Sequence, residues 1–72
     1  MMINRAVYEA LKANHEGMQY TDENGNKWAM VYLPNAAVKG VSKLQFAGAL
    51  SVLQKLGEYK PTGDQYFGEI KV

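Results

Sequence analysis

Few residues in this chain are of the kind that make or break bonds. His15 is the sole histidine and cysteine is absent, so a Cys/His metal site and a disulfide framework are both excluded. His15 with Ser42 or Ser51 would supply a base and a nucleophile, but no spacing brings them together, and a lone histidine near a helix end is ordinarily a capping residue. The carboxylates stand singly, which gives no pair for general acid and base work. Asp22-Glu23-Asn24-Gly25-Asn26 has the composition of a calcium loop. In that frame its glycine comes two positions early, Lys27 stands where glycine belongs and Leu33 replaces the bidentate glutamate. It reads as a turn. No enzymatic activity, cofactor, metal or small-molecule substrate is expected. What remains is recognition chemistry: cationic and hydrogen-bonding side chains between Lys39 and Gln65, and the aromatics Tyr20, Trp28 and Tyr32. The aromatics would suit base stacking on a single strand. In so small a domain they read more simply as core, with Trp28 and Tyr8 filling the space between the first helix and the hairpin.

The elements that position these residues are legible from periodicity and turn chemistry. Ile3, Ala6, Val7, Ala10 and Leu11 recur at helical spacing opposite Arg5, Glu9 and Lys12, which predicts an amphipathic helix over about 3–15 ended by Gly17. A hairpin follows, with strands 18–21 and 27–33 around Asn24-Gly25. Alternation puts Trp28, Met30 and Tyr32 on one face and Ala29, Val31 and Leu33 on the other. Both faces are apolar, so the strand is either sandwiched or presents one face to a partner. Pro34 stops the strand and suits the first turn of a short helix reaching Lys39. A second long helix spans 42–56, burying Leu44 or Gln45 at its start and then Phe46, Ala49, Leu50, Leu53 and Leu56. Gly57 then leads into a closing hairpin over 58–71 that turns at Pro61-Thr62-Gly63-Asp64, with Tyr59, Tyr66 and Ile70 inward. The order is α-β-β-α-α-β-β in one α+β domain over 1–72, or α-β-β-α-β-β if the short helix is only a turn.

Ala36-x-x-x-Gly40-Val41-Ser42, followed by an amphipathic helix, a glycine and a hairpin, resembles the winged helix-turn-helix family over residues 32–72. A small residue at Ala36 permits close helix crossing, Gly40 permits a positive φ in the interhelical turn, and Ser42 is a good N-cap. Lys39 and Asn35 stand where that family usually has apolar residues. The resemblance implies a DNA-binding protein, a transcriptional regulator, whose helix 42–56 enters the major groove while hairpin 58–71 acts as the wing. The implied DNA-binding residues are Lys39, Ser42, Lys43, Gln45, Gly48, Ser51, Lys60 and Gln65. Gln45 would pair with adenine, Lys43 would reach guanine or phosphate, Ser42 would bond a phosphate, and Gly48 would admit a close backbone approach. Lys60, Thr62 and Gln65 would bring the wing to the duplex backbone.

Composition tempers that implication. Eight basic against seven acidic residues leave a net charge of only +1, low for binding that rests on phosphate contacts. The motif-bearing half, residues 34–72, is the positive one, with five basic residues to three acidic; residues 1–33 hold three to four. A 72-residue chain without disulfide or metal sits near the limit of self-sufficient cores, so a homodimer is expected, with Trp28 or the final strand at the interface. No apolar run is long enough to span a membrane and no export signal is visible, which gives a cytoplasmic expectation. The alternative function is a non-enzymatic interaction module, such as a phage or mobile-element inhibitor or adaptor bound to a host protein.

Overall fold

The computed structural model describes residues 2–72. Helix α1 (Ile3–Ala13) is followed by strands β1 (His15–Thr21) and β2 (Lys27–Tyr32), a single 3-10 turn (Leu33–Ala36), helix α2 (Lys43–Lys55), and strands β3 (Tyr59–Pro61) and β4 (Phe67–Lys71). The domain is α+β. Its four strands form one antiparallel sheet in the order β1-β2-β4-β3. The element order is the expected one with the short second helix reduced to a turn. That turn begins at Leu33, with Pro34 in its first positions, and the segment 37–42 is irregular.

α1 ends two residues early and not at Gly17. Asn14 closes it by donating its side-chain amide to the Ala10 carbonyl at 2.7 Å, and Gly17 lies inside β1. The extra strand length is absorbed by an irregularity between His15 and Gln19, where the pairing with β2 shifts register. Gly57, by contrast, takes the left-handed conformation after α2, with φ 76°.

Register explains the core. Ala29, Ile70 and Tyr59 lie on one rung across β2, β4 and β3, and all three are buried. Side chains on a rung share a face, so this is the face that both helices cover. Val7, Tyr8 and Leu11 of α1, Ala49 and Leu53 of α2, Val31 and Ala36 complete the cluster. Tyr8 also donates its hydroxyl to the Lys71 carbonyl at 3.1 Å, with the Arg5 guanidinium 4.4 Å and the Lys12 ammonium 5.2 Å from its ring centre.

The opposite face carries Tyr20, Trp28, Met30, Tyr32, Phe67, Glu69 and Lys60, by the same register. Trp28 therefore does not fill the space beneath α1. It is buried on the far side of the sheet, its indole N–H donating to Asp22 Oδ2 at 2.8 Å and its ring covered by Lys60 Nζ at 4.1 Å from the ring centre. Sealed this way, Trp28 offers neither a dimer contact nor a stacking surface. The final strand is excluded from edge pairing too, because β4 lies inside the sheet between β2 and β3.

Other expected core positions are wholly or partly open. Leu56 and Tyr66 are exposed, and Phe46 and Leu50 are only half-buried. Leu56 follows the last residue of α2 and caps it. Tyr66 belongs to the turn between β3 and β4, where it packs on Tyr32 with ring centres 6.5 Å apart.

Candidate functional site

The N-terminal end of α2 is built by a capping box. Ser42 Oγ accepts from the Gln45 backbone N–H at 3.1 Å, and Gln45 Oε1 accepts from the Ser42 backbone N–H at 2.9 Å. These bonds satisfy two donors that a helix start leaves unpaired. They also give the Gln45 side chain a capping task. A bidentate contact to adenine needs both its oxygen and its nitrogen, and would share that oxygen with the Ser42 N–H.

Around this end lies a groove of about 530 Å³ whose lining is mostly apolar, with Leu33, Pro34, Val38, Val41, Phe46 and Tyr66 joined by Ala37, Ser42, Lys43 and Gln65. Its walls are tied in place. The Leu33 N–H donates to the Tyr66 carbonyl at 2.8 Å, which fastens the 3-10 turn to the β3–β4 turn, and the Val41 N–H donates to the Val38 carbonyl at 3.1 Å. Gly40, at φ 85°, lets the chain reverse there as the sequence required. In the β3–β4 turn, Thr62 Oγ1 donates to the Phe67 carbonyl at 3.0 Å and Asp64 Oδ1 accepts from the Tyr66 N–H at 2.8 Å.

Three of the eight expected site residues, Ser42, Lys43 and Gln65, thus meet on this groove, and Lys39 is exposed in the same loop. Gly48 and Ser51 lie apart, on the exposed surface of α2. At Gly48 a β-carbon would meet nothing within 4 Å, so the position is open surface. Lys60, on β3, keeps a partly exposed side chain whose Nζ lies over the Trp28 ring and 4.0 Å from Asp22 Oδ2.

Sequence reasoning missed the apolar character of the site. Leu33, Val38 and Val41 flank the expected turn and signal it in retrospect, since apolar residues around a tight turn either pack inward or line a recess. The expectation that Leu44 or Gln45 is buried at the start of α2 fails as well: Gln45 is exposed and Leu44 is 84% exposed on the first turn. α2 is apolar around its circumference, with Ala49 and Leu53 buried, Phe46 and Leu50 half-buried, and Leu44 and Val52 exposed. α1, in contrast, separates its apolar and charged sides cleanly.

The Asp22 loop is a structural turn. Asp22 Oδ1 accepts from the backbone N–H groups of Asn24 and Asn26, both at 2.9 Å. The Trp28 indole bond, these amides and the nearby Lys60 ammonium hold the Asp22 carboxyl below its ordinary pKa. Among the described residues no cluster of three or more His, Cys, Asp or Glu is placed to hold a metal ion, and no helix is long and apolar enough to cross a membrane. No protein-family model matches the chain, and no curated protein and no solved structure matches it.

Proposed function

We propose that this chain is a non-enzymatic protein-interaction module, an adaptor or inhibitor, that docks another protein at the N-terminal end of α2. The observation that carries this reading is the pre-formed apolar groove, to which Leu44, exposed on the same first turn of α2 but not among the groove's lining residues, adds a second apolar surface. Apolar and aromatic surface held open by a hydrogen-bonded frame is what the centre of a protein interface contains. Burying Leu44 alone would contribute roughly 1.5–3 kcal/mol. The absence of cysteine suits a reducing, cytoplasmic setting.

The cation inventory favours this reading over duplex binding. Arg5, Lys12 and Lys60 lie over aromatic rings of their own chain, and Arg5 also donates to Glu58 Oε1 at 3.1 Å. The exposed cations on α2 and in the loop before it are then Lys39, Lys43 and Lys55, few for a phosphate-dominated interface of roughly 6–10 contacts. A second reading, the winged helix-turn-helix DNA binder, keeps one observation. Lys39 and Lys43 are both exposed beside the positive end of the α2 dipole.

A photo-crosslinking residue placed at Leu44, with a control at Glu9 on the outer face of α1, tests the proposal in cells that make the protein. Discrete protein adducts from position 44 and none from position 9 are expected. If position 44 yields no protein adduct, and a mobility shift at low salt shows duplex binding lost in Lys39→Ala/Lys43→Ala, the DNA reading replaces it.

A further inference from the structure

We infer that the groove at the N-terminal end of α2 accepts a peptide segment carrying one or two large apolar side chains flanked by carboxylates. The inference rests on the protein-interaction reading and names the chemistry of the partner.

Shape and charge select this occupant together. The floor and walls are Leu33, Pro34, Val38, Val41, Phe46 and Tyr66, and a recess of about 530 Å³ falls within the ~300–1,000 Å³ typical of sites that bury large apolar groups. Among the residues lining it the single charged side chain is Lys43, and no Asp or Glu lines it. Lys39 adds a second exposed cation in the same loop, and the α2 dipole adds positive potential at the same end. The nearby carboxylates are outside the lining and engaged by their own chain: Asp64 Oδ1 accepts from the Tyr66 N–H and Glu16 Oε1 from the Asn35 side chain. A segment flanked by lysine or arginine would meet like charge here, and one flanked by Asp or Glu would meet its complement. Because the 3-10 turn, the 38–41 loop and the β3–β4 turn are each closed by internal hydrogen bonds, little ordering is needed on binding.

The test uses three fluorescein-labelled decapeptides with the intact chain: a central Leu-Trp flanked by Asp and Glu, the same pair flanked by Lys, and the acidic peptide with Ser-Ser replacing Leu-Trp. Anisotropy gives affinity, and amide chemical shifts of the isotope-labelled protein give location. The acidic Leu-Trp peptide is expected to bind and to shift Val38, Val41, Phe46 and Tyr66. The Lys-flanked peptide should bind about tenfold more weakly at low salt, and the Ser-Ser peptide should not bind detectably. Lys39→Glu/Lys43→Glu should reverse the order of the two Leu-Trp peptides while leaving the thermal melt unchanged.

Equal affinity for the acidic and basic peptides, shifts confined to another face, or no binding by any peptide overturns the inference. So does a short DNA duplex that displaces the acidic peptide from these residues. Protein adducts from position 44 alongside such a failure would leave the interaction reading standing. Loss of both would remove both.

Discussion

The ring of Tyr59 on β3 lies across the backbone of Gly68 on β4, filling the space that a β-carbon at position 68 would occupy. The two residues sit diagonally, since Tyr59 pairs with Ile70 and Gly68 with Pro61. An aromatic ring laid over a glycine on the neighbouring strand recovers packing that the missing side chain would forfeit. Gly68→Ala should therefore destabilise the domain by about 1–3 kcal/mol through overpacking, lowering the melting temperature by roughly 4–8 °C per kcal/mol. Tyr59→Ala costs stability itself but should shrink the further effect of Gly68→Ala. Thermal denaturation of the two single variants and the double variant measures that coupling, and strict additivity would contradict the packing described.

The capping box makes Ser42 and Gln45 stability residues. Ser42→Ala should cost about 0.5–2 kcal/mol, and Gln45→Ala a smaller amount, with the double variant losing less than the two single losses combined because each bond depends on the other residue. Denaturant unfolding gives all three values. A Gln45→Ala protein as stable as the parent would mean that this side chain is free for another role.

Core and groove positions on α2 should separate in magnitude. Leu53 is fully buried, so Leu53→Ala should cost about 2–5 kcal/mol. Phe46 already has one side open to the groove, so Phe46→Ala should cost less than Leu53→Ala despite the larger side chain removed. Leu44→Ser, at an exposed site, should leave the melt within about 0.5 kcal/mol of the parent. A reversed order for Phe46 and Leu53 would place α2 in a different rotation.

Acid should loosen the Asp22 loop in a defined direction. The folded carboxyl titrates below its ordinary value of 3.8, so above that value it is ionised in both folded and unfolded chains and its stabilisation is fully present. As pH falls below 3.8 the unfolded chain takes up the proton first, and the contribution is lost as pH passes down through the folded value. Asp22→Asn removes this dependence. The stability difference between parent and Asp22→Asn, followed by Trp28 fluorescence, should narrow as pH is lowered through 3.8 and below. A gap that stays constant over that range would show that the carboxylate charge contributes nothing there.

The order of elements was legible because each boundary carries its own local chemistry: the apolar stripe of α1, Asn24-Gly25 in the first hairpin, Pro34 at the 3-10 turn, Ser42 before α2 and Gly57 after it. The face of each β2 residue was legible too, since alternation fixes it once the strand is granted. What escaped was tertiary. Nothing local shows that Trp28 is buried on the side away from the helices, because that burial depends on Asp22 and on Lys60, which stands 32 positions further along. Lys60 was for the same reason assigned to a wing surface when its partner is an indole ring. The groove was hidden because Leu33, Val38, Val41 and Tyr66 come from three separate segments, and apolar residues at a turn look alike whether they close a core or edge a recess.

Sheet order also dictates when the fold can assemble. The β1–β2 hairpin is local, but the β2–β4 ladder joins Trp28 to Lys71 and Tyr32 to Phe67, closing stretches tens of residues long before any rung forms. A chain emerging from a ribosome with only the segments up to β3 exposed would hold a hairpin and one strand of three residues with no neighbour between them. The entropy of that closure falls on a single late event, so substitutions in the β2–β4 ladder, and in the β1–β2 hairpin that forms ahead of it, should slow refolding.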